Sequence, residues 1–310
     1  MKLGTDFSGI GAPEMALKYL GIEFESVFAC EIDKYARQSF KQLHKTKKFY
    51  NDITTRDHKE VEQLDLYIAG FPCQAFSIAG KRKGFEDTRG TLFYNVAEFI
   101  KINKPKVFVL ENVKGLVSHD SGKTFQTIID ILSNNGGTQN GQISLDMLDD
   151  GLGYHIYWQV LNTKNYGIPQ NRERIFIVGF KDFKEFNFPK PIELKLTLEN
   201  MLQDNPNSKY FLSDKMIKFV LNTDFREAKP ISKKGISRCL KVGGDVPCFE
   251  VKTNTKKIRR LTPLECWRLQ GFKDDDFFTI KDISDTQLYK QAGNSITVNV
   301  LMALFKKILL

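Results

Sequence analysis

Apolar positions in the first 180 residues fall into short runs separated by amphipathic stretches. The runs predict strands near residues 2–6, 24–30, 64–70, 106–111, 155–161 and 174–180. Helical spacing of apolar positions predicts helices near 13–20, 33–43, 91–102 and 123–133. Strands alternating with helices in this way argue for βαβ units and an α/β fold with a doubly wound, mostly parallel sheet. The stretch from Ser133 to Gly141 is a loop by composition. The rhythm stops after Phe180. Residues 181–258 are rich in Lys, Asn, Asp and Pro with short, weak apolar runs, which predicts a smaller module of irregular β structure. Order returns after Arg260, where Thr262-Pro263-Leu264-Glu265 forms a capped helix start. A last amphipathic helix runs from about Ile296 to the end. The expected organisation is therefore one large domain made of 1–180 and 259–310, with 181–258 as the second.

Composition narrows the class. With 310 residues, 41% hydrophobic and 27% charged, the chain has ordinary globular values, which exclude a disordered or collagen-like protein. No run reaches the roughly 18 apolar residues of a membrane span. Asp6 interrupts the N-terminus before an apolar run can build, so no signal peptide is expected. The net charge of +9 is unevenly placed: Lys181 to Arg260 holds 18 basic and 10 acidic residues. A basic patch on an otherwise balanced chain suits a polyanion, and a solvated lysine-rich face explains it equally well. The five cysteines are odd in number and form no Cys-x-x-Cys pair, which argues for a reducing, cytoplasmic setting. The four histidines show no metal-ligand spacing, so no metal is expected.

Several strand ends carry candidate chemistry. Phe7-Ser8-Gly9-Ile10-Gly11-Ala12 follows the first strand and opens the first helix, and Gly9 and Gly11 let a ligand approach the backbone. Glu14 stands where a dinucleotide motif has its third glycine, which disfavours a pyrophosphate and leaves a nucleoside-like ligand. Glu31 ends the second strand, where an acid bonds ribose hydroxyls, and Asp52 follows the next strand-like segment within reach of an adenine amino group. Gly122-Lys123-Thr124 imitates a phosphate loop, but no strand immediately precedes it, and it reads as a helix start. The sharpest signal is Gly70-Phe71-Pro72-Cys73-Gln74, which places a thiol at a strand's C-terminal end, where ligands bind and a nucleophile is useful. Glu111 ends another buried strand, and desolvation there would raise its pKa and make it a proton donor. Arg172 and Arg174 share one face of an extended segment, suited to an anion, a carbonyl oxygen or a plain salt-bridge anchor.

Taken in order, these segments resemble the bacterial and phage DNA cytosine-5 methyltransferase family. Phe7-Ser8-Gly9-Ile10-Gly11 looks like its S-adenosylmethionine motif, Gly70-Phe71-Pro72-Cys73-Gln74 like its nucleophile motif and Glu111-Asn112-Val113 like its acid motif. Gln170-Asn171-Arg172-Glu173-Arg174, Arg260-Leu261-Thr262-Pro263-Leu264-Glu265 and Gln291-Ala292-Gly293-Asn294-Ser295 resemble three further motifs. The resemblance implies a Rossmann-like methyltransferase domain that flips a cytosine from duplex DNA and methylates carbon 5 through a Cys73 adduct. It makes 181–258 the target-recognition domain. Glu111 would act on ring nitrogen 3, Arg172 would bond the ring carbonyl, and Arg174 would order that side of the pocket. Phe7, Gly9, Gly11, Glu31, Ile32, Asp52, Ile53, Leu92, Asn294 and Ser295 would surround S-adenosylmethionine. Ser77 and Lys81 would lie on the loop that closes over DNA, and Arg238, Cys239, Leu240 and Lys241 would belong to the recognition loop. Cys239 stands where the family commonly has Thr. The resemblance further implies a monomer, with a restriction endonuclease as functional partner. Three alternatives are weighed at this stage: a tRNA cytosine-5 methyltransferase, which shares these motifs; a catalytically dead DNA-binding module or regulatory partner, whose signature would be loss of Cys73, Glu111 or Arg172, all of which are present; and a thiol hydrolase pairing Cys73 with His119 or His155.

Overall fold

The computed structural model describes residues 1–72, 92–133, 151–224, 229–242, 246–251 and 257–310. Within them, strands β1 (Lys2–Asp6), β2 (Glu25–Cys30), β3 (Lys48–Tyr50), β4 (Leu66–Ala69), β5 (Val107–Val113), β6 (His155–Asn162) and β7 (Glu173–Phe180) form one sheet. Its order is β3-β2-β1-β4-β5-β7-β6. Pairing is parallel from β3 through β5, and β7 runs antiparallel to both β5 and β6. The order of strand addition thus switches sides between β1 and β4, so the C-terminal ends of β1, β2, β4 and β5 open onto one crevice, the place where doubly wound sheets bind ligands.

Period-two alternation divides the strands between two cores. Leu66, Ile68, Val109, Phe176 and Val178 face one side, with α1 (Ala12–Leu20) and α9 (Val298–Leu309). Tyr67, Ala69, Phe108, Leu110, Ile175 and Ile177 face the other, with α3 (Leu92–Asn103) and α4 (Lys123–Leu132). Helix starts follow local chemistry. Asp33 caps α2 (Lys34–Leu43) by accepting from the amides of Tyr35 at 2.9 Å and Ala36 at 3.1 Å. Thr262 and Glu265 form a reciprocal capping box at α6 (Pro263–Arg268). Gly122 caps α4, so the phosphate-loop imitation is indeed a helix start.

The segment after β7 is more mixed than its composition suggests. It contains an antiparallel pair, β8 (Cys248–Val251) and β9 (Lys257–Arg260), and also the nine-residue helix α5 (Asp214–Asn222). Val220 on α5 packs with Cys248 and Ile258 in a small core, with Ile217 against it. Leu198, Met201, Leu240 and Phe249 instead join the main core beside α9. Two short helices, α7 (Asp274–Thr279) and α8 (Asp285–Asn294), complete the C-terminal region. Among the described residues, no helix is long and apolar enough to cross a membrane. Among the described residues, Cys30, Cys239 and Cys266 are free thiols.

Candidate active site

The crevice at the C-terminal edge of the sheet is lined by Phe7, Gly9, Gly70, Glu111, Asn294 and Ser295, among others. Four segments far apart in the chain therefore meet at one cleft. The turn after β1 is tightly constrained, with Phe7 at φ 53°, Gly9 at 54° and Gly11 at 80°. At Gly11 a side chain would be strained and would also collide with the His44 ring, 2.3 Å from its Cβ. Glu31 holds this turn from β2. Its two carboxylate oxygens accept from the amides of Gly9 at 2.9 Å and Asp33 at 2.7 Å. Burial raises the Glu31 pKa, and those amides oppose the rise.

The other expected cofactor residues are placed unevenly. Ile32 is 72% exposed, an apolar side chain offered to solvent beside Glu31. Asp52 accepts from the Thr54 amide at 2.9 Å and hydroxyl at 2.8 Å. Ile53 is buried in the second core, and Leu92 packs against it. Cys73, Ser77 and Lys81 lie outside the described residues. The residues leading to Cys73 are described: Phe71 is buried, and its carbonyl accepts from Asn112 Nδ2 at 2.9 Å. The residue after Glu111 thus anchors the approach to Cys73, a role the sequence signals only by its place beside the acid.

Glu111 is buried at the end of β5, and burial raises its pKa. Arg174 and Arg172 pull it back down, and Arg174 Nε lies 3.2 Å from Glu111 Oε1. The two arginines have different surroundings. Arg174 remains 18% exposed at its side chain and touches Glu111. Arg172 is 3% exposed, and its guanidinium donates to the carbonyls of Leu240 (3.2 Å), Gly293 (3.1 Å) and Ser295 (2.8 Å) and to Cys239 Sγ (3.4 Å). Its two terminal nitrogens clasp the 239–240 segment to the C-terminal loop while its Nε has no partner among the described residues, and Arg174 lies nearer the acid.

The 237–241 segment is held close to this site. Ser237 and Arg238 pair in parallel with Gln170 and Asn171. Gln170 accepts from the Leu240 amide at 3.0 Å and donates to the Leu269 carbonyl at 2.7 Å, a buried brace that sequence spacing did not reveal. A Cβ on Gly293 would come within 2.8 Å of the Lys241 carbonyl, so the two backbones nearly touch. Leu240 was expected to face DNA, but it is 4% exposed and packs in the main core. A side chain buried there cannot reach a base edge.

Glu14 does not face the cleft as a charge. It is fully buried, accepts from Thr5 Oγ1 at 2.8 Å, and its Oε2 has no partner among the described residues. Burial pushes its pKa from 4.5 up to about 7. Between those values the folded chain keeps a proton that the unfolded chain has lost, so this contribution to stability fades as pH rises, by about 3 kcal/mol in all. Burial pushes His44 the other way, from 6.5 down to about 4, so its contribution grows with pH and partly masks Glu14. Glu14→Gln isolates the acid. Its unfolding free energy relative to the parent is expected to rise by about 3 kcal/mol from pH 4.5 to 7.5 in denaturant titrations. A constant difference across that range would show an ordinary carboxyl.

The fold and the cleft together define an α/β enzyme of methyltransferase architecture. The Dnmt2 methyltransferase of S. pombe superposes with a TM-score of 0.78 at 19% identity, covering 100% of both chains. The Entamoeba histolytica methyltransferase EhMeth gives 0.74 at 20% identity, covering 99% of this chain and 97% of its own. Sequence relatives are much nearer. Type II methyltransferase M.NgoBI of Neisseria gonorrhoeae is 41% identical over 96% of this chain and 89% of its own length. Orphan methyltransferase M.SPRI of Bacillus phage SPR is 30% identical over 98% of this chain and 96% of its own. The sequence model of C-5 cytosine-specific DNA methylases matches residues 5–310, and the chain belongs to that family of enzymes.

Proposed function

We propose that this protein methylates carbon 5 of cytosine in duplex DNA, with S-adenosylmethionine as methyl donor, as the modification enzyme of a restriction-modification system or its orphan counterpart. The observation that carries the reading is the buried Glu111–Arg174 pair beside the glycine turn, where Asn112 anchors the chain entering Cys73. The cleft fits the cofactor. Phe7 gives its lining an aromatic wall, with Asn294 and Ser295 on the same lining, while Glu31, tied to the Gly9 amide, the exposed Ile32 and Asp52 stand outside that lining and would meet the ribose and adenine. When bound, S-adenosylmethionine supplies a methyl group activated on a sulfonium sulfur.

The remaining chemistry belongs to the chain. The target base must leave the stack to reach the cleft. Cys73 thiolate adds to carbon 6 of the flipped cytosine, which turns the ring into an enamine nucleophilic at carbon 5. Protonated Glu111 stabilises charge developing at ring nitrogen 3 and meets the exocyclic amine. Arg174 holds Glu111 and bonds the ring carbonyl, the role first expected of Arg172. After methyl transfer a base removes the carbon 5 proton and Cys73 is eliminated.

Residues 181–258 serve as the target-recognition domain. Ser77, Lys81, Arg238, Cys239 and Lys241 contact DNA, while Leu240 anchors their segment. The enzyme acts as a cytoplasmic monomer, and its endonuclease partner is functional rather than physical. Because the basic excess lies in 181–260, DNA affinity should fall steeply with salt through counterion release, and a flat response in a salt titration would count against this surface. The direct test is transfer of labelled methyl from S-adenosylmethionine to duplex DNA and, in parallel, to tRNA. Label in 5-methylcytosine of duplex DNA is the expected result. Label confined to tRNA would overturn the substrate, and ester or peptide cleavage without cofactor would overturn the reaction.

A further inference from the structure

Arg56 is a charged side chain in the interior that the reaction does not use. It is 7% exposed and meets Asp6 with both terminal nitrogens, Nη1 to Oδ1 at 2.7 Å and Nη2 to Oδ2 at 2.8 Å. Its guanidinium lies against the rings of Phe28 and Phe99, 4.4 and 4.6 Å from their centroids. Nε donates to His58 Nδ1 at 3.4 Å, which completes the fork. Tyr67 hydroxyl donates to Asp6 Oδ2 at 2.6 Å, so the carboxylate is clamped from two sides.

The place of this pair in the fold gives it a purpose. Asp6 ends β1, lines the cleft and immediately precedes Phe7. Arg56 ends the loop that carries Asp52 and Ile53 from β3. β3 is a three-residue edge strand, which gives that loop a weak anchor. The fork is planar and bidentate, so it fixes distance and orientation together, which a single charge does not. A buried pair of this kind is poor value as stability alone, since desolvating both ions offsets most of their attraction.

We infer that Arg56 is a positioning residue for cofactor binding: through Asp6 it locks the Asp52–Ile53 loop against the glycine turn and presets the adenosine end of the cleft. The inference rests on the proposed reading of that cleft as the S-adenosylmethionine site. It separates binding from chemistry. Arg56 touches the loop and Asp6, whereas Glu111 and Arg174 stand at the other end of the cleft wall and are held by different contacts.

The test uses the full chain, Arg56→Met and Arg56→Lys. Titration calorimetry with S-adenosylhomocysteine gives affinity, and steady-state methylation of duplex DNA gives kcat and the cofactor KM. Arg56→Met is expected to weaken cofactor binding about ten-fold or more, the equivalent of about 1.4 kcal/mol of lost preorganisation. Cofactor KM should rise in step while kcat at saturating cofactor stays within about two-fold, because only binding shared by ground and transition states is lost. Arg56→Lys keeps the charge without the fork and should fall between the two. It decides the question if the methionine variant does not fold. Affinity within about two-fold of the parent in the folded variant, or a fall in kcat as large as the rise in KM, would overturn the inference. A parent protein that does not bind S-adenosylhomocysteine would overturn the cofactor reading itself, and this inference with it.

Discussion

Arg172→Met is expected to lose about 3 kcal/mol or more of folding stability, whereas Arg174→Met should fold normally and lose catalysis. Arg172 satisfies the carbonyls of Leu240, Gly293 and Ser295 in the interior. Removing it strands three buried acceptors at about 1–3 kcal/mol each, partly relieved by relaxation. It also unties the 239–240 segment from the C-terminal loop, so DNA binding, if carried by the segment as proposed, should weaken with stability. Arg174 is more exposed, and its contacts are the Glu111 carboxylate, the Glu173 carbonyl and a long approach to Cys239. Its loss should change stability by no more than about 1 kcal/mol and slow methyl transfer by about a hundred-fold or more. Denaturant midpoints and single-turnover rates separate the two effects. The opposite pattern, with Arg172→Met stable but inactive, would return the ring-carbonyl role to Arg172.

The rate of methyl transfer should fall on the alkaline side as Glu111 loses its proton. Burial raises its pKa and so favours the acid form, while the charges on Arg174 and Arg172 oppose this. The active form is the protonated one, which gives full rate below the raised pKa and a decline above it. Glu111→Gln cannot give up a proton, so it should cost about 10²–10⁴ in single-turnover rate and abolish the alkaline decline. Arg174→Met removes the cation that holds the Glu111 pKa down, so the residual activity of that variant should persist to higher pH. An unchanged alkaline limb in both variants would remove Glu111 as proton donor.

These predictions concern residues that the sequence could name but not rank. Arg172 and Arg174 stand two positions apart on one extended segment, and nothing local distinguishes them. Their difference arises from Leu240, Gly293 and Ser295, which lie 68, 121 and 123 residues from Arg172. Glu14 is a similar case. At a helix start it reads as a surface charge near a ligand, and only the burial of its side chain against Thr5 makes it an interior acid. Ile53 and Leu240 carried motif-based roles at the ligand and at DNA, yet their apolar side chains take the interior, where burial is worth about 1.5–3 kcal/mol. Arg56 carried no local signal at all, because its meaning depends on Asp6 fifty residues away.

What the sequence determined by itself is the succession of elements and the location of the chemistry. Leu66–Ala69 and Val107–Val113 are strands, and Lys34–Leu43 a helix, because side-chain periodicity and capping act over a few residues and are written locally. The parallel sheet follows from their alternation, and the reactive positions follow from strand ends, where backbone groups and crevices meet. What only the tertiary structure decided is which polar groups are already spent. Hydrogen-bond capacity is finite, and long-range neighbours consume it. Arg172 becomes a clasp, Arg174 a partner of the acid, Glu31 a brace for the glycine turn, and Gln170 a tie between Leu240 and the Leu269 carbonyl. The α5 helix within 181–258 was likewise settled by packing, since Val220 against Cys248 and Ile258 gives a weak local pattern its partner.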